Sequence, residues 1–204
     1  MNDHQPGFAP TSTGALDGAT SPSGAPRTRS ITENPALAAR TVELLQNLHA
    51  FVRLNAQDAR CVAGYMRELA YAQGERLFQA GEQHHANHLL LVLEGEVAVD
   101  ASSTGPPGAV PIAVLGAGSV LGEMSLLDGA PRSATCTAIS DIRAAGLARR
   151  GLERLIEEQP SVAAKLLAGL AQVMAERLRA MAEQLQMYGQ INASVRQDLN
   201  QARA

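Results

Sequence analysis

Glycines cut the chain at short intervals between Gly74 and Gly129, falling also at 81, 95, 105, 108, 116, 118 and 122. Between them lie runs of strand length: Arg76–Gln79, His88–Leu93, Glu96–Asp100, Ala109–Leu115, Arg132–Ala138 and Ile142–Ala148. Many short strands with turn residues at near-regular spacing predict an antiparallel barrel or jelly roll. The stretch ASSTGPPG, Ala101–Gly108, is expected to be a loop joining two of those strands.

The flanks follow a helical period instead. Pro35 suits a first helical position, and Leu37, Val42, Leu45 and Leu48 form an apolar stripe behind it. A second helix is expected over Ala56–Leu69, carrying Val62 and Met66, with Gln57 and Asp58 in its first turn. After Arg149, Leu152, Leu155 and Ile156 mark a short helix that ends near Gln159-Pro160. Ser161 then offers an N-cap for one long helix. Along it Leu167, Ala171, Met174, Leu178, Met181, Leu185 and Tyr188 alternate spacings of four and three, as a coiled-coil seam does. The predicted fold is therefore α+β: an antiparallel jelly-roll barrel flanked by N-terminal helices and a long C-terminal helix. Residues 36–160 are expected to form the helices and barrel, and 161–204 a dimerising helix and tail.

Residues 1–35 are rich in Pro, Gly, Ser, Thr and Ala and nearly lack large apolar side chains. Such a segment buries too little surface to offset its ordering entropy and is expected to be a disordered tail. It has no signal-peptide pattern, and no stretch approaches the roughly 18 apolar residues of a membrane span, so a cytoplasmic protein is expected. A net charge of −3 argues against a protein that grips nucleic acid through its overall field. Cys61 and Cys136 have neither metal-ligand nor disulfide-framework spacing.

The chemistry concentrates in Gly122–Thr135, GEMSLLDGAPRSAT. Glu123 and Arg132 are opposite charges in a mostly apolar stretch, expensive to bury without partners. An ion pair between the two would satisfy both and merely staple a barrel turn. A ligand with an anionic phosphate and a ribose hydroxyl would do so as well. Arg132 offers a rigid fork of donors suited to a phosphodiester, and Glu123 can accept a ribose 2′-hydroxyl. Gly122 admits close backbone approach, and the short turn it opens would aim N–H groups at an anion. Ser133 is placed to contact phosphate or purine.

Residues and element order together resemble the cyclic nucleotide-binding domain, the family of bacterial cyclic-AMP receptor proteins and of kinase regulatory subunits. The resemblance covers about Ala36 to Met187 and is sharpest in the phosphate-binding cassette, where Gly122, Glu123, Ser125, Leu126, Pro131, Arg132, Ala134 and Thr135 match at family spacing. The segment Gly74–Glu82 and the Glu94-Gly95 turn also look like the family's first barrel strands. It implies a ligand site of Gly122, Glu123, Met124, Ser125, Arg132, Ser133, Ala134 and Thr135, with the nucleotide inside the barrel under the long helix. The corresponding part of that helix offers Arg177, Met181 and Ala182 to the base. cAMP is the favoured ligand, with cGMP and cyclic di-GMP as alternatives.

Competing readings fail on residue inventory. His84, His85 and His88 suggest a metal site or a cupin's first motif, but no histidine follows His88. No serine lies in a Gly-x-Ser-x-Gly elbow, and two cysteines are too few for an iron–sulfur cluster. A non-catalytic binding module is expected, with no cofactor and no metal. About forty residues follow Pro160, and one helix uses nearly all of them, so no helix-turn-helix domain is expected. Two classes remain: a sensor that signals to a partner protein, and a structural adaptor that uses barrel and coiled coil without nucleotide.

Overall fold

The computed structural model describes residues 29–48, 53–83, 87–100 and 112–201. Most of the expected tail, the loop Ala101–Gly108, and His84 and His85 lie outside the described residues. Ordered contacts are already present ahead of Pro35. Ser30 bridges Arg67, and a single 3-10 turn, Ile31–Glu33, follows. Ile31 is fully buried, and its N–H donates to the Met66 carbonyl at 3.2 Å.

Helix α1, Pro35–Gln46, is capped by Asn34, whose side chain accepts from Leu37 N–H, and buries Leu37, Thr41, Leu44 and Leu45. Helix α2 covers Ala56–Ala63 under a capping box of Asn55 and Asp58. It stops well short of the expected Leu69. Arg67–Tyr71 is instead strand β1, paired antiparallel with the last strand of the barrel. Strands β2 (Arg76–Phe78), β3 (His88–Glu94), β4 (Val97–Asp100), β5 (Ala113–Leu115) and β6 (Val120–Leu121) follow. Helix α3 (Glu123–Asp128) precedes β7 (Thr135–Ala138), β8 (Ile142–Ala148), α4 (Arg149–Glu158) and α5 (Pro160–Gln201).

The strands form two antiparallel four-stranded sheets, ordered β1-β8-β3-β6 and β2-β7-β4-β5. Sheet β1-β8-β3-β6 is covered on both faces, which explains the unbroken apolar run of β3. Leu89, Leu91 and Leu93 pack with the helices, while Leu90 and Val92 join the core between the sheets with Phe78, Val97, Leu121, Cys136 and Ile142. Strand β8 divides in the same way, with Ala145 and Leu147 towards the helices and Ile142 and Ala144 between the sheets.

Helix α5 begins at Pro160, one residue before the expected cap, and its first turns belong to the helical core. Val162, Ala163, Leu166 and Leu170 are buried there with residues of α1, α2 and β3. Lys165 reinforces the docking with an ion pair to Asp58 of α2 at 2.6 Å. Further along, α5 projects with its apolar residues bare.

Candidate functional site

The corner between β6 and β7 is built around a glycine with φ 75°, in the left-handed region that favours glycine. That glycine, Gly122, opens α3. A Cβ there would run into Arg132 Nη1 and lie 3.1 Å from the Phe78 ring, so the position needs a missing side chain as well as its backbone angle. Gly129, φ 74°, closes the helix with its N–H on the Ser125 carbonyl.

Arg132 is only 4% exposed. Its Nη1 donates to the Gly122 carbonyl at 3.2 Å and its Nη2 to the His88 carbonyl at 2.9 Å. The guanidinium lies over the Phe78 ring, its carbon 3.7 Å from the ring centroid. Its backbone is pinned to the β2–β3 turn: Arg132 N–H donates to Glu82, and Gly81 N–H donates to Arg132. Burial pushes the Arg132 pKa down and Glu82 pulls it back up, which leaves a guanidinium charged at any ordinary pH.

Glu123 is 2% exposed and is held from a different element. Its Oε1 accepts from Arg177 Nη1 of α5 at 2.7 Å, and Arg177 Nη2 donates to the Val120 carbonyl. The two cassette charges are therefore anchored separately, Glu123 by the long helix and Arg132 by backbone carbonyls. The staple that two nearby charges suggested is not how this corner is built.

The remaining cassette residues divide by burial. Ser125 is buried, with its Oγ donating to the Pro131 carbonyl at 3.4 Å and its own carbonyl accepting from Arg149 at 3.1 Å. Thr135 is buried, and its Oγ1 accepts from Ala80 N–H at 3.1 Å. Ser133 and Met124 are exposed, and Ala134 is half-buried. On α5, Arg177 is committed to Glu123, while Met181 and Ala182 lie on the exposed stretch.

Two further residues complete the corner: Phe78, which sequence reasoning does not single out, and His88, which it weighs only as a metal ligand. Phe78 of β2 backs the guanidinium, and His88 of β3 supplies a carbonyl and an imidazole to it. They sit 54 and 44 positions from Arg132, and neither belongs to a recognisable local pattern. Both line a cavity of about 260 Å³ together with Arg76, Leu77, Gln79 and Glu82. Among the described residues no group of three His, Cys, Asp or Glu side chains could hold a metal ion, and no helix is long and apolar enough to cross a membrane.

A family model described as the cyclic nucleotide-binding domain matches residues 68–159. The solved cyclic nucleotide-binding domain from Methylobacillus flagellatus is 31% identical, with a TM-score of 0.65 over 73% of this chain and 82% of that one. This chain belongs to the cyclic nucleotide-binding domain family. The N-terminal domain of a transcriptional regulator from Streptomyces coelicolor is 30% identical, with a TM-score of 0.56 over 66% of this chain and 94% of that one. The cyclic AMP receptor protein of Thermus thermophilus is 34% identical over 129 residues, which are 63% of this chain and 56% of that protein. The chain thus spans little more than half the length of that relative. Cyclic nucleotide-binding domains are regulatory modules rather than catalysts, and this domain is not an enzyme.

Proposed function

We propose that the chain is a cyclic-nucleotide sensor, with cAMP as its ligand. Arg132 takes the phosphodiester, Glu123 the ribose 2′-hydroxyl, and Gly122 clears the backbone for both. Met124, Ser133 and Ala134 border the ligand, while Ser125 and Thr135 hold the loop that presents it. The observation that carries this reading is the bond from Arg177 to Glu123, because it joins the ribose-binding carboxylate to the helix that would carry the signal. A ligand biases such a device only through its different affinities for two arrangements. A ribose hydroxyl arriving at Glu123 competes with Arg177 and supplies that difference. The preference for cAMP rests on the relatives, among them the Thermus receptor described as a cyclic AMP receptor protein.

In this reading residues 36–160 sense the nucleotide in the cytoplasm, and 161–204 pass the signal to a partner protein. The same segment pairs with its counterpart in a homodimer. Support for the pairing comes from Leu178, Met181, Leu185 and Tyr188, which are 70%, 57%, 71% and 64% exposed along one line of α5.

Calorimetric titration with cAMP, cGMP and cyclic di-GMP tests the proposal. One cyclic mononucleotide is expected to bind at micromolar concentration or below, and Arg132→Leu to weaken it by about 2–5 kcal/mol. No heat with any of the three, or undiminished binding by the variant, would sink the sensor reading and favour the adaptor.

A further inference from the structure

His88 both touches the Arg132 guanidinium and lines the adjoining cavity, and imidazole is the side-chain type whose unperturbed titration falls near neutrality. Its Nδ1 lies 3.5 Å from Arg132 Nη2. A guanidinium only donates, so the nitrogen facing it is the acceptor of a neutral imidazole, with the ring proton on Nε2. Phe78 holds this arrangement from the side, its ring centroid 5.3 Å from that of His88 and 3.7 Å from the guanidinium carbon.

We infer that His88 is a second anchor for the ligand's anionic group, and that nucleotide binding takes up a proton there; the inference rests on the reading of Arg132 as the phosphodiester site. An anionic phosphate oxygen is a stronger acceptor for Arg132 Nη2 than a neutral imidazole nitrogen. When it arrives, Nη2 turns to it and Nδ1 loses its donor. The guanidinium that opposed a second positive charge is now offset by the phosphate, and the ring gains a proton from solvent through the cavity. His88 then donates towards the anion.

Among the described residues, the other charges lining the cavity with His88 are Arg76 and Glu82, one of each sign. On the β8 side its strand partner is the uncharged Ala148, and the next residue, Arg149, donates its backbone N–H to the Asn87 carbonyl and a guanidinium N–H to the Ser125 carbonyl. Arg132 is the described charge in contact with the ring, and its compensation by the phosphate favours protonation. The sign follows: a group whose pKa is higher in the complex than in the free protein tightens binding as pH falls. The phosphodiester itself stays anionic across this range, so the dependence belongs to the protein.

The experiment is titration calorimetry of the full chain with cAMP between pH 6 and 8, in buffer pairs of different ionisation enthalpy. Affinity should rise by about five- to tenfold from pH 8 to pH 6, corresponding to a pKa change of roughly one unit. Uptake should peak at about half a proton near the middle of that range, as a shift of roughly one unit dictates. H88Q should bind with little pH dependence and no uptake, while the double variant H84Q/H85Q keeps both. Proton NMR of the His88 ring in the free protein gives a ligand-independent reading, and its pKa should rise in R132Q. Binding without uptake, uptake that survives H88Q, or a His88 pKa indifferent to R132Q would each overturn the inference. Absence of binding heat would instead overturn the nucleotide reading on which it rests.

Discussion

At Gly122 the backbone angle and the Arg132 guanidinium exclude any side chain independently, and Gly122→Ala should expose the cost of meeting both. We expect a loss of about 1–3 kcal/mol in urea unfolding, because a left-handed residue with a Cβ must also displace the arginine. Arg177 is a different case. It is one-third exposed, but the carboxylate it holds is not. Arg177→Met should destabilise the fold by about 1–3 kcal/mol, since it leaves Glu123 buried without its partner. Adding Glu123→Gln should recover part of that loss, and thermal unfolding of the two variants measures it. The cassette's charges and its opening glycine were legible in the sequence because they lie within one short stretch. Their partners were not. Phe78, His88 and Arg177 reach the corner from three separate elements; the family resemblance points to Arg177 near the base rather than on Glu123, and nothing in a neutral imidazole or a strand phenylalanine marks where it will dock.

Two elements show how a periodic pattern misleads or divides. Val62, Met66 and Leu69 fall at helical spacing, so one helix through Leu69 was the natural reading. Gly64 caps α2 instead, and Met66 and Leu69 are drawn to different cores. What makes room for β1 is small residues in its partner: a Cβ on Gly146 of β8 would lie 2.6 Å from Leu69 Cδ1. No period in β1 itself carries that information. Helix α5 carries two stripes rather than one. The stripe through Val162, Leu166 and Leu170 docks on the domain, and the one through Leu178, Met181, Leu185 and Tyr188 is exposed. With about 63 Å of length at 1.5 Å per residue, the helix outruns the body that its first turns cover. If the exposed stripe is a homodimer seam, Leu178→Glu should lower the sedimentation coefficient towards that of a monomer while leaving the helical circular dichroism of the domain in place. An unchanged coefficient would mean that Leu178 does not lie in the seam of a stable dimer.

Taken whole, the molecule was legible at the level of its barrel and flanking helices, since alternation, turns and stripes are local. How the helices are tied to the barrel depends on contacts across long stretches of chain. The ion pair of Asp58 and Lys165 spans 107 positions. The hydrogen bond from Lys165 holds the Asp58 carboxyl below its ordinary value, so the pair's contribution is present above about pH 4, the unfolded carboxylate range, and fades as pH falls further. Acid unfolding should therefore cost the wild type more stability than Asp58→Asn between pH 5 and pH 2, a range of about three units around that value. Lys165 is also the only lysine of the 204 residues. A lysine-specific endoprotease thus has one bond to cut, Lys165–Leu166, inside a helical turn whose Leu166 is 2% exposed. Cleavage requires that turn to unwind from α2, and it yields two fragments and no others. Its rate is a single-site clock for how often the long helix lets go of the domain, readable on a gel without a label, with or without nucleotide.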